Sequence, residues 1–170
     1  MNQFYILLFF VFIAFYTDFN THKIPNAITI SMMVVGWLFH ILVDGFSGMW
    51  FSIIGFLAML LFLLLLYFLG AVAAGDVKFF GAVGALVGLK ISIFILVYSI
   101  LFSGLIGLGV LIFKKENWFR LKAIWFGVFS FVILRNVNML KTIKSEQYFR
   151  FPFMLAVLPA VVVVGYQLLL

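Results

Sequence analysis

Apolar residues in this chain are gathered into long runs, and short polar or glycine-rich stretches separate the runs. The first run begins at Phe4 and gives way to Thr17-Asp18-Phe19-Asn20-Thr21-His22-Lys23. The second follows Pro25-Asn26. Proline disfavours helix for the residue before it, so a new helix is predicted there, with Asn26 as its N-cap. Asp44-Gly45-Phe46-Ser47-Gly48 has the composition of a tight turn. The next run, 49–70, is 22 residues long, enough to cross a bilayer with some tilt. Small residues from Ala71 to Gly75 then lead into Asp76-Val77-Lys78 and a glycine-rich run, Phe79 to Leu89, closed by Lys90.

The pattern predicts an all-α integral membrane protein of one domain, residues 1–170, with six transmembrane helices at about 4–17, 27–43, 49–70, 76–89, 91–113 and 151–170. The fourth is short for a crossing, which takes about 20 residues. It is expected to begin near Asp76 and to pack deep in the bundle, where Gly81, Gly84 and Gly88 let backbones approach closely. Between the last two spans lies a basic cytoplasmic loop, 114–150. Its apolar stretch 123–134 is too short to cross and is expected to lie in the interface or to re-enter. There is no inverted internal repeat and no Pro- or Ser-rich linker.

Composition sharpens this reading. Hydrophobic residues make up 67% of the chain, charged residues 9%, and mean hydropathy is +1.32. Soluble domains carry roughly 25% charged residues, so water-soluble enzymes, nucleic-acid binders and disordered linkers are excluded. With no cysteine, disulfides, thiolate metal sites and catalytic thiols are excluded too. The net charge of +6 follows from its distribution. With six spans, Lys23, Lys78 and eight basic residues of the 114–150 loop fall on one side, and Lys90 alone on the other. Basic residues accumulate in cytoplasmic loops. The expectation is a multi-pass membrane protein with the basic loop in the cytoplasm and both termini outside. Met1-Asn2-Gln3 is uncharged and Phe15-Tyr16-Thr17-Asp18 is no small-residue cleavage site, so the first span is expected to be retained.

Five acidic residues remain to be explained. Glu116 and Glu146 lie among cations, and Asp44 suits a turn; all three read as structural. Asp18 and Asp76 each stand at the cytoplasmic end of an apolar helix, where acids are costly and usually mark function. Two carboxylates in a partly dry site share one proton. The ionised one can then take a proton from water while the protonated one polarises a carbonyl, as peptide hydrolysis requires. Position alone leaves this reading level with a simple helix-end role. Lys78 either favours the ionised carboxylate or holds substrate, or is one more cytoplasmic cation. Lys23, Pro25 and Asn26 read as shaping the first cytoplasmic loop. His22 and His40 show no acidic or cysteine neighbours at metal-ligand spacing, and no metal is expected.

The flanking residues decide between these readings. Asp18 to Asn26 reads D-F-N-T-H-K-I-P-N, and Ala74 to Lys78 reads A-G-D-V-K before a glycine-rich helix. Together they resemble the prepilin peptidases, or type IV leader peptidases, membrane aspartic proteases of the GxGD kind. Arg150-Phe151-Pro152-Phe153 is similar to the family's proline-aromatic approach to its last helix. The resemblance implies that Asp18 and Asp76 are the catalytic pair, supported by Gly75, Lys78, Lys23, Pro25 and Asn26. Gly75 would leave room beside Asp76 for the substrate strand. One departure is that Ala73 replaces the first glycine of the motif. Lacking cysteines and an extra cytoplasmic domain, the chain is similar to the short forms that serve Flp or tight-adherence pili and to archaeal preflagellin peptidases. Peptidase activity without N-methylation, and without a cofactor, is therefore implied. The expected partners are a prepilin-like substrate with a basic leader and, for the basic loop, anionic lipid; oligomeric state is left open. Two alternatives are a small ion or proton transporter using the same acids and a non-catalytic assembly component of a secretion or pilus system.

Overall fold

A computed structural model describes residues 2–21, 23–70, 72–113 and 153–169. His22, the basic loop 114–150 with its 123–134 stretch, and Arg150-Phe151-Pro152 lie outside the described residues. Everything described is helix or short connection: α1 (Asn2–Thr21), α2 (Asn26–Phe68), α3 (Ala74–Phe113) and α4 (Met154–Leu169), with no strand among the described residues. The first three are long and apolar enough to cross a membrane. Two compact units are present, Met1–Ser103 with Pro152–Leu170, and Gly104–Phe151. Of the second unit, only residues 104–113, helical throughout, are described.

Helices α2 and α3 span 43 and 40 residues, but neither is continuous. Gly45 (φ 62°, ψ −139°) interrupts α2, and Gly88 (φ 78°, ψ 170°) interrupts α3. Both angles lie where a side chain is strained and glycine is not. At Gly45 the chain reverses. In a straight helix Gly36 and Gly55 would stand about 28 Å apart. Instead, a Cβ on Gly36 would meet the backbones of Ala85 and Leu86 at 3.0 Å, and Gly55 abuts the backbone of Gly84. Gly48 likewise lies against the carbonyl of His40, eight residues earlier. The two arms of α2, residues 26–44 and 46–68, therefore flank the same short stretch of α3. The expected loop at 44–48 is thus compressed to one non-helical residue, with Ser47 Oγ donating to the Asp44 carbonyl at 2.7 Å.

Residues 79–88 are all buried. A helix apolar on every side belongs inside a bundle, and this one is enclosed because glycine on both partners lets backbones touch at the Gly55–Gly84 crossing. The break comes at Gly88 rather than at Lys90, where the charge pattern placed it. Helix continues past Lys90, because glycine, not charge, permits the backbone to turn. Breaking the ladder strands the last carbonyls of the arm, a serious cost away from water. Two side chains of α2 answer this. Ser52 Oγ donates to the Ala85 carbonyl, and His40 Nε2 donates to the Leu86 carbonyl at 2.9 Å. Both residues are buried, which accounts for polar groups in otherwise apolar helices.

Helix α1 presents Leu7, Val11, Ala14 and Asp18 inward at helical spacing, all buried, and Tyr5, Phe9, Phe12, Tyr16 and Phe19 outward. It packs on α4 and α2. In α4 the matching buried stripe is Met154, Val157, Val161 and Val164. Helix α2 ends at Gly70 (φ 75°), whose N–H returns to the Tyr67 carbonyl at 2.9 Å. At its start, Pro25 rather than Asn26 is the N-cap, and no side chain caps there. The Asn26 side chain is used elsewhere, as described below.

Replacing Gly84 by Val forces the crossing apart. The expected cost is about 1–3 kcal/mol, read as a lowered unfolding midpoint in detergent, whereas Val at the open Gly104 position should leave packing intact.

Candidate active site

Asp18 is the last member of the inward stripe of α1 and is only 8% exposed. Its Oδ2 accepts the backbone N–H of Met154, the first residue of α4, at 3.2 Å. The first N–H groups of a helix have no partner within it, and a carboxylate there also meets the positive end of the helix dipole. Asp76 lies half-buried in the first turn of α3. The N–H groups of Asp76 and Val77 both reach the Ala73 carbonyl, at 3.1 and 3.3 Å. Ala73 thus acts through its backbone in starting the helix. Phe153, the neighbour of the Met154 that donates to Asp18, packs its ring against Phe80, one turn after Asp76. Two acids far apart in the chain are thereby brought to the same end of the buried 79–88 segment, opposite the Gly88 break.

The remaining predicted residues surround this pair. Gly75 and Lys78 precede and follow Asp76. The Lys78 ammonium donates to Asn26 Oδ1 at 3.1 Å. Among the described residues, a Cβ on Gly75 would meet only the Ile24 side chain, at 3.9–4.0 Å, which leaves room there. Pro25 sets the extended backbone before α2 (φ −60°, ψ 137°), and Lys23 is exposed, its carbonyl accepting Thr21 Oγ1 at 3.1 Å. The ring of Phe153, just before α4, stands 6.2 Å from that of Phe80.

Two contributors were invisible in the sequence. The Met154 donor is a backbone group and carries no residue signal. Ile24 looked like part of a loop motif rather than a cover for Gly75. His40 has an acid at helical spacing after all, since its Nδ1 lies 3.9 Å from Asp44 Oδ2. This correction concerns the opposite end of the 79–88 arm from the two acids. Among the described residues no three His, Cys, Asp or Glu side chains come together as a metal site would need.

The model of the type IV leader peptidase family matches residues 5–108, more than half of the chain and including both aspartates. The chain belongs to the type IV leader peptidase family. This leader peptidase is thus a membrane-embedded peptide hydrolase built on long apolar helices. No curated protein and no solved structure matches it. Helix α4 lies beyond the matched residues, yet it supplies the backbone donor to Asp18.

Because the space over Gly75 is open, Gly75→Ala is expected to fold normally. Replacing a helical glycine by alanine typically stabilises by about 0.5–1 kcal/mol, so the unfolding midpoint in detergent should hold or rise. A drop would mean that the α3 start needs glycine for its own packing.

Proposed function

We propose that this leader peptidase removes the basic leader from type IV prepilin-like subunits, of the Flp or pseudopilin kind, at the cytoplasmic face of a prokaryotic plasma membrane. The observation that carries the reading is the placement of Asp18 and Asp76 at the same end of the buried 79–88 arm, with Asp18 hydrogen-bonded by the start of α4. In the proposed reaction the ionised carboxylate takes a proton from water as the water oxygen attacks the scissile carbonyl carbon. The protonated carboxyl gives its proton to the carbonyl oxygen. Collapse of the tetrahedral intermediate breaks the C–N bond, the proton taken from water passes to the departing amine, and one hydroxyl of the intermediate returns a proton to the carboxylate that gave one, leaving a carboxylic acid product. The open space over Gly75 suits an extended substrate strand beside Asp76. Lacking cysteine, the chain is read as a short form that does not N-methylate its product.

Six crossings follow if α1, each arm of α2, each arm of α3 and α4 pass once through the bilayer. Asp18, Lys23, Asp76 and Lys78 then share the cytoplasmic side with the basic loop, while Asp44 and Lys90 lie outside with both termini. The reversal at Gly45 and the break at Gly88 support this path.

Two experiments test the proposal. Co-expression with a prepilin-like subunit should give processed product with the wild type, and none with Asp18→Asn or Asp76→Asn, each losing at least about a hundredfold in rate while still accumulating in the membrane. Equal cleavage by either variant would refute the dyad, and tolerance of both would favour an assembly role. The cysteine-free sequence also permits a topology test. In right-side-out cells, an impermeant maleimide should label Asp44→Cys but not Lys23→Cys.

A further inference from the structure

Lys78 and Asn26 belong to different motifs and different helices, yet their side chains are joined. The Nζ–Oδ1 distance of 3.1 Å is that of a charge-assisted hydrogen bond. It spans the gap between the first residue of α2 and the second turn of α3. Ile24, two residues before Asn26, lies over Gly75, three residues before Lys78. The 23–26 connection thus touches α3 on both sides of Asp76, by an apolar contact before it and a polar one after it. Nothing else described fixes this connection so directly to the start of α3. Lys23 and Pro25 are exposed, and no side chain caps α2. The geometry also explains why Asn26 does not serve as a cap: its carbonyl oxygen is already engaged with Lys78.

We propose that Lys78 and Asn26 form a tether that clamps the 23–26 connection onto the start of α3 and so positions Asp76 opposite Asp18. The inference rests on the peptidase reading and adds to it a positioning role for two exposed residues outside the pair of acids. Lys78 is then a positioning residue rather than a substrate-binding cation. Asp18 is fixed at the end of α1 by the α4 backbone, and Asp76 lies in the first turn of α3, whose first N–H groups meet the Ala73 carbonyl. The tether holds that first turn against the connection before α2.

Kinetics and cross-linking read the tether independently. In cleavage of a prepilin-like subunit by the full chain in lipid, Lys78→Met and Asn26→Leu should each lower kcat about tenfold with KM unchanged. The double variant should be no worse than either single one, and Lys78→Arg, which keeps a donor, should retain most activity. Additive losses, or a raised KM with kcat intact, would overturn the proposal. The second readout needs no activity. A Cβ on Gly75 would lie 3.9 Å from Ile24 Cβ, close to the roughly 3.8 Å typical of disulfides, and the chain has no other cysteine. Ile24→Cys/Gly75→Cys should therefore cross-link under mild oxidation, and adding Lys78→Met should slow that reaction several-fold. An unchanged rate would refute the tether. If the wild type cleaves no prepilin-like subunit, the peptidase reading fails, and the cross-linking rates still decide whether the tether exists.

Discussion

In hydrocarbon every backbone carbonyl must find its partner within the protein, and this constraint organises the whole arrangement. The 79–88 arm is enclosed so tightly that it has to stop at Gly88, and stopping exposes the Ala85 and Leu86 carbonyls. Ser52 and His40 reach them only because α2 folds back at Gly45 and brings both of its arms to the same place. The glycines at 36, 55 and 84 bring the backbones near enough for those short side chains to bridge. Pinned at that end, the arm carries Asp76 at its other end on a fixed support.

Around the acids the design is different. Polar side chains are few and backbone does much of the work. The start of α4 donates to Asp18, and the Ala73 carbonyl gathers the first N–H groups of α3. Helix starts of this kind bring partial positive charge toward two groups that would otherwise repel. An apolar chain can thereby hold a pair of carboxyls without importing many further charges into the membrane. Among the described residues, only the Ile24 side chain stands over Gly75, beside Asp76.

Much of this was legible in the sequence. The long apolar runs marked helices, and the D…K-I-P-N and A-G-D-V-K segments marked the family. What escaped was backbone. No residue type announces that the Met154 N–H will be free to donate, or that the carbonyls of Ala85 and Leu86 will need caps. Lys90 suggested the end of the glycine-rich helix because charge usually stops a buried segment, but a turn needs a backbone that can adopt positive φ, and Gly88 has it. Asn26 had the chemistry of a cap and was diverted by a lysine on another helix. Such competition between local and distant partners is settled by packing and has no signature along the chain.

The reversal at Gly45 has a consequence for how the protein is made. A single residue joins the two arms of α2, so they can form together as one helical hairpin, each with its backbone hydrogen bonds already satisfied. Such a hairpin could wait in the lipid as a preformed cradle, with Ser52 and His40 facing its cleft, for the less self-sufficient broken helix that follows it out of the ribosome. Order of synthesis and order of packing would then coincide.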